Sequence, residues 1–303
     1  MKRVLFASTA LVAFAGAAAA DVTLTGNAEM GIFDNDDVDE VQFHTDIDVT
    51  FTMSGETDGG LTFGATIDLD ESDDGDAFAN DTQGGETIFL SGGFGTVTMG
   101  DTDGALDWAL TEVLFDSGSI TDDEETAGGY NGNAALDGTY DGQIMRYDYT
   151  FGDYGVAVSA EIDDTGANDP VLGIGFRASF DFAGTGLNFG IGYQEVEDDD
   201  ALGMSLNANF GSISAGINYS EYEVAGDDIE HIGIGVGYSS GPISLHANYG
   251  EFDRDIAGDS DGFGLTAGYD LGGGAILQAG YGTSDFDGAD DFDSYSLGVR
   301  LNF

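Results

Sequence analysis

Apolar side chains recur at every second position along most of this chain, in short runs, which is the period that sends alternate residues to opposite faces of a strand. The last run shows the pattern most plainly. In Tyr295-Ser-Leu-Gly-Val-Arg-Leu-Asn-Phe303, the residues Tyr295, Leu297, Val299, Leu301 and Phe303 share one face. Ser296, Gly298, Arg300 and Asn302 share the other. One face suits hydrocarbon and the other suits water. The same alternation sets Val41, Phe43, Ile47, Val49, Phe51 and Met53 against Gln42, His44, Asp46 and Asp48. It also sets Met145, Tyr147, Tyr149 and Phe151 against Ile144, Arg146, Asp148 and Thr150.

Sixteen such runs follow one another, at about 22–33, 41–53, 61–69, 86–91, 96–101, 143–151, 156–162, 171–182, 186–196, 202–210, 213–222, 230–238, 243–251, 262–271, 275–283 and 293–303. Short Gly-rich turns, such as Ala183-Gly-Thr-Gly186, alternate with longer Asp-rich connections, such as Glu197-Asp-Asp-Asp200. An even number of antiparallel strands closes with both ends on one side and leaves no edge in lipid. The predicted fold is therefore all-β, a 16-stranded antiparallel transmembrane β-barrel in one domain. One connection breaks the rhythm. The segment from about 102 to 142 carries the only Trp, Trp108, and a Leu- and Phe-containing stretch from Ala105 to Phe115. It is too long to be an ordinary connection.

Composition narrows the possibilities. No segment after the amino-terminal stretch is continuously apolar for the roughly 20 residues a membrane helix needs, so membrane insertion requires a barrel. Cysteine is absent, which excludes a disulfide framework, a thiolate nucleophile and a Cys-based zinc site. The formal net charge is −52, with 6 Lys and Arg against 58 Asp and Glu. Nucleic acid is excluded as a partner, because binding it requires phosphate neutralisation. The amino terminus, Met1-Lys-Arg followed by an Ala-rich apolar stretch to Ala20, reads as a cleaved secretory signal peptide over 1–20, leaving 21–303 as the barrel. Without it the only basic residues are Arg146, Arg177, Arg254 and Arg300.

Candidate chemistry is sparse. The imidazoles are His44, His231 and His246, and the last two fall too far apart along neighbouring strands to share a metal. An esterase remains open, because Ser and carboxylate distances are not legible in sequence. Gly233-Ile-Gly-Ile-Gly-Val-Gly237 reads as slim wall positions facing a lumen rather than a nucleotide loop. No cofactor is required, and the metal ligands are unknown. The acidic segments from Asp70 to Asp76 and from Asp253 to Asp261 offer oxygen ligands for Ca²⁺ or Mg²⁺, with ordinary solvated acidity as the plainer alternative. Tyr193, Tyr219, Tyr238, Tyr249, Tyr269, Tyr281 and Tyr295 lie on apolar faces near strand ends, as an interfacial aromatic girdle does.

Several stretches resemble the alphaproteobacterial, Rhodobacter-type family of general-diffusion porins. They are Phe51-Thr-Met-Ser-Gly55 with Gly60-Leu-Thr-Phe-Gly-Ala65, Phe89-Leu-Ser-Gly-Gly-Phe-Gly95, Met99-Gly-Asp101, Tyr269-Asp-Leu-Gly-Gly-Gly274 and the closing strand. The terminal Phe303 resembles the signal that outer-membrane barrels present to the barrel assembly machinery. The resemblance implies an integral outer-membrane homotrimer among lipid and lipopolysaccharide, each barrel narrowed by the 102–142 loop folding into its lumen. A loop lying outside the barrel is the alternative. Leu106, Trp108, Leu110, Val113, Leu114 and Phe115 would then meet the wall. Asp103, Asp107, Glu112, Asp116, Asp122, Asp123, Glu124 and Glu125 would line the constriction.

Such porins set a basic cluster opposite the acidic loop. Here Arg146, Arg177 and Arg300 fall on the polar lumen-wall face, but Asp46 and Asp48 stand where relatives often offer Arg. The expected result is a water-filled channel for small hydrophilic solutes that favours cations, and no enzyme. A structural or adhesive barrel with divalent-binding loops is the alternative. A substrate-selective channel with a binding ladder would need organised aromatic or basic lumen residues, which are not found in the sequence.

Overall fold

A computed structural model describes residues 21–303 except 39, 71–81, 116–117, 126–134, 141 and 257. The expected signal peptide over 1–20, the acidic stretch from Glu71 to Asp76 and the constriction candidate Asp116 therefore lie outside the described residues. The sixteen predicted strands are all present. They are β1 (Asp21–Asn35), β2 (Gln42–Glu56), β3 (Thr62–Asp70), β4 (Thr82–Gly92), β5 (Gly95–Asp101), β6 (Gln143–Phe151), β7 (Tyr154–Glu161) and β8 (Val171–Phe182). There follow β9 (Thr185–Val196), β10 (Asp199–Phe210), β11 (Ile213–Val224), β12 (Asp227–Ser240), β13 (Ile243–Arg254), β14 (Ser260–Gly272), β15 (Ala275–Phe286) and β16 (Phe292–Asn302). A single short helix, α1 (Ala105–Ala109), is the only one among the described residues.

Each strand pairs antiparallel with its sequence neighbours, and β1 closes on β16 with Ala28 opposite Leu301 and Gly31 opposite Gly298. Closure leaves no unpaired edge. Both described chain ends lie at one end of the barrel, and six of the seven turns there are two residues long. The opposite end carries the longer connections, with two exceptions. Asp199 and Asp200, expected in an acidic loop, belong to β10, and the β9–β10 connection is the two-residue turn Glu197–Asp198.

The barrel is apolar outside and polar inside. On β16, Tyr295 and Leu297 are exposed, whereas Ser294 and Ser296 are buried. Gln194, Ser205, Asn207, Asn218, Ser220 and Asn248 are likewise buried on inward positions. That is the reverse of a water-soluble sheet, and it suits a barrel whose outer band faces hydrocarbon. Tyrosines at the long-connection end bond acids two residues away or across a strand: Tyr193 to Glu195, Tyr281 to Asp293 and Tyr295 to Asp34. Their rings sit in the apolar band while their hydroxyls reach polar groups at its rim.

A candidate constriction inside the barrel

The described parts of the 102–142 segment enter the barrel rather than lying outside it. From β5 the segment forms α1 against β7, β8 and β9. The backbone N–H of Ala105 donates to Ser159 Oγ at 2.8 Å, and that of Thr111 donates to Ser205 Oγ at 3.0 Å. Asn218 Nδ2 donates to the Thr111 carbonyl at 2.8 Å, and Gln278 Nε2 to the Gly118 carbonyl at 3.0 Å. Leu106, Trp108, Leu110, Val113 and Leu114 are buried as the family resemblance implied, and Phe115 sets its ring edge-on to that of His246.

Glycines on the wall allow this approach. A Cβ at Gly175 or Gly190 would overlap the carbonyl oxygens of Ala105 and Ala109, and one at Gly235 would overlap that of Val113. Gly264, Gly280 and Gly298 leave room for Glu124, Ser119 and Ile120 in the same way. Slim positions along β8, β9, β12, β14, β15 and β16 thus form a track for the loop, which accounts for the Gly233–Gly237 alternation.

The far end of the loop corrects part of the expected aperture. Asp123 and Glu124 are 0% and 1% exposed and do not line open space. Asp123 accepts hydrogen bonds from Ser294 and Ser296 of β16, and the Ser119 hydroxyl donates to it at 2.7 Å. Glu124 Oε2 lies 3.1 Å from Ser119 Oγ, and its carbonyl accepts from Asn248 Nδ2 at 3.3 Å. A buried carboxylate needs donors, and inward-pointing serines and amides supply them. Asp103, Asp122 and Glu125 remain exposed, and Asp107 and Glu112 are partly so.

The returning arm has its own anchors. Glu161, only 2% exposed, accepts from the backbone N–H groups of Gly138, Tyr140 and Gly142 at 3.1, 3.0 and 2.8 Å. Gln194 accepts from Leu136 N and donates to Asp137, whose other oxygen accepts from Gly104 N at 2.6 Å. Sequence reasoning did not single out Glu161, Gln194, Ser294, Ser296 or Glu29. Their inward parity was legible, but which inward residues meet the loop depends on its path.

The three inward arginines are placed differently from one another. Arg146 lies 3.8 Å from Asp103 and 3.7 Å from Asp148. Arg300 lies 3.4 Å from Glu29, and the register sets Arg300, Glu29 and Asp46 side by side across β16, β1 and β2. Arg177 stacks on Trp108 with its guanidinium carbon 3.8 Å from the ring centroid. Asp48 accepts from Asn27 Nδ2 at 2.7 Å. Crowding and enclosure act on the loop carboxyls. Burial, reinforced by Asp103, Glu112 and Asp137, raises Asp107 to about 7. Burial also raises Glu124 to about 7, and burial with Asp122 and Glu112 raises Glu125 to about 7. Oxygens of Asp122, Glu124 and Glu125 lie within 4.8 Å of one another, the only such group among the described residues that offers a metal three carboxylate ligands.

A closed barrel with a long loop pinned inside it at both arms is a particular architecture. A family model for Gram-negative porins matches residues 7–289. The chain belongs to the Gram-negative porin family. A porin of Rhodobacter capsulatus is 33% identical over 186 residues, and the match covers 59% of this chain and 58% of that relative. A porin structure refined at 1.8 Å superposes with a TM-score of 0.71 at 26% identity, over 93% of this chain and 100% of the other. An engineered triple mutant of Rhodopseudomonas blastica porin, 21% identical, superposes with a TM-score of 0.72 over 93% and 100% of the two chains and shares the fold. This porin is an integral outer-membrane barrel, and its family consists of channel proteins rather than enzymes.

Proposed function

We propose that the chain forms a water-filled channel for passive diffusion of small hydrophilic solutes, narrowed by the 102–142 loop and favouring cations. The observation that carries this reading is the charge balance at the loop. Asp103, Asp107, Glu112, Asp122 and Glu125 project from it, and Asp46 and Asp48 stand on the wall. Against them stand Arg146, Arg177 and Arg300, of which Arg146 and Arg300 are already ion-paired to carboxylates. Low-dielectric walls focus the field of the unbalanced acids and draw cations in. The family resemblance supports assembly as a homotrimer among lipid and lipopolysaccharide, with Phe303 as the signal to the barrel assembly machinery. The carboxylates of Asp122, Glu124 and Glu125 supply the type of oxygen ligand that Ca²⁺ or Mg²⁺ takes.

Single-channel currents of the refolded protein in a planar bilayer under a KCl gradient test this. A stable open conductance with a cation-favouring reversal potential is expected. An anion-favouring potential would overturn the charge argument, and no conductance from folded barrels would favour a structural or adhesive role.

A further inference from the structure

β1 and β16 are the one neighbouring pair in the barrel that no connection joins, because they lie at the two ends of the described chain. A hairpin sets the register of its strands through its turn, and this seam has no turn to set it. Alternation of apolar and polar residues excludes a slip of one position, which would send every side chain to the wrong face. It does not exclude a slip of two, which leaves every face as it was. The native register of the closure therefore needs another determinant.

The tip of the inner loop stands over that seam. Gly31 of β1 lies directly opposite Gly298 of β16, the only facing pair of glycines in the seam, and both occupy inward positions. Together they form a socket that Ile120 of the loop fills. The Ile120 Cδ1 takes the space that a Cβ on either glycine would need, and Ile120 is 2% exposed. Asp123 holds the tip beside the socket, accepting from Ser294 and Ser296 of β16 and from Ser119 Oγ.

Either slip of two positions removes the socket. One sets Ser296 opposite Gly31 and Glu29 opposite Gly298, and the other sets Arg300 opposite Gly31 and Phe33 opposite Gly298. An inward side chain then competes with Ile120 for its space in both cases. The ion pair of Arg300 and Glu29, 3.4 Å long across the same seam, discriminates less sharply. Both partners have long side chains with many rotamers, which can follow a shifted neighbour.

We propose that Ile120 is a register key for closure of the barrel. The loop folded into the lumen selects the one pairing of β1 with β16 in which Gly31 and Gly298 face each other, and its docking holds that pairing. This role is independent of what passes through the channel.

The chain has no cysteine, so introduced cysteine pairs report register without background. Three pairs on outward positions of the refolded full chain are oxidised and their cross-linked fractions compared. Ala28→Cys with Leu301→Cys joins native neighbours. Ala28→Cys with Val299→Cys, and Met30→Cys with Leu301→Cys, join residues that stand opposite only after a slip of two. Diagonal neighbours in the native register are ~7–8 Å apart, beyond the ~4.4–6.8 Å that a disulfide spans between Cα atoms.

With Ile120 in place, the native pair should dominate. Ile120→Ala should raise the yield of a slipped pair relative to the native pair about tenfold, the scale expected for loss of a buried aliphatic side chain. Ile120→Val removes only the methyl in the socket and should raise the ratio about threefold, so it decides if Ile120→Ala fails to fold. Leu106→Ala, at the other end of the loop, should leave the ratio unchanged. A ratio that neither Ile120 substitution moves, or that Leu106→Ala moves as much, overturns the register key.

Discussion

Arg177 lays its guanidinium over the ring of Trp108, 3.8 Å from the centroid, and donates to the same residue's carbonyl at 3.2 Å. One wall side chain thereby holds both the ring and the backbone of the loop at α1. Replacing Trp108 with Leu keeps an apolar contact but removes the π-face. A loss of about 1–2 kcal/mol is expected. It would appear as a lower thermal midpoint of the refolded barrel and more open-channel flicker. A double-mutant cycle with Arg177→Gln that gives independent effects would show that the pair is not coupled.

Gly190 tests the glycine track. Its Cβ position is occupied by the Ala109 carbonyl, whereas a Cβ at Gly186, four residues earlier on β9, has no neighbour closer than 4.0 Å. Gly190→Val should cost about 1–3 kcal/mol by overpacking. It should also lift α1 off the wall and change single-channel conductance. Gly186→Ala should leave the conductance at the wild-type value. Identical conductance in both variants would mean that the loop does not depend on the track.

Asp123 clamps the far end of the loop to β16 through Ser294 and Ser296. Asp123→Ala leaves buried hydroxyls without their acceptor, at a cost of about 1–3 kcal/mol. Faster cleavage of the loop by protease added to the refolded barrel is the expected readout. Glu161→Ala removes the acceptor of three backbone N–H groups in the returning arm and should expose that arm in the same assay. Unchanged cleavage in both variants would show that the loop is held by apolar packing instead.

The raised carboxyls set a pH window. Asp107 and Glu125 titrate at about 7, so their charge is present above about pH 8 and lost below about pH 6. Cation preference should therefore fall between these values, before carboxylates near their ordinary ~4 are protonated. A reversal potential that stays flat down to about pH 5 would contradict this. The same shift opposes docking of the loop as pH rises. Unfolded, these carboxyls ionise near ~4, so between about 4 and 7 the folded state binds more protons and ionisation weakens it. The loop should resist protease better at about pH 5 than at pH 8.

The fold was legible because strand periodicity is a local property. A residue at an even or odd position faces in or out whatever its distant neighbours do, so the alternation along β16 and β2 sorted Ser296 from Leu297 and Asp46 from Ile47 before any pairing was known. Steric and hydration limits in lipid then required the sixteen strands to close. That the loop carries an apolar stretch from Ala105 to Phe115 was legible as well, but its packing against the wall was an expectation from the family resemblance.

The tertiary structure decided what each loop acid does. Asp122 and Asp123 are adjacent and chemically identical, yet Asp122 is exposed and Asp123 is buried among Ser119, Ser294 and Ser296. Their sequence does not distinguish them, because the wall hydroxyls of Ser294 and Ser296 that meet Asp123 stand more than 170 positions away and glycines on the wall let the loop approach. Arg146 and Arg177 differ in the same way, one ion-paired and the other stacked on Trp108. The sequence by itself determined the barrel, its inside-out polarity and its excess of acid. Only the closed structure decided which charges remain available in the lumen, because desolvation and pairing depend on contacts made across the barrel.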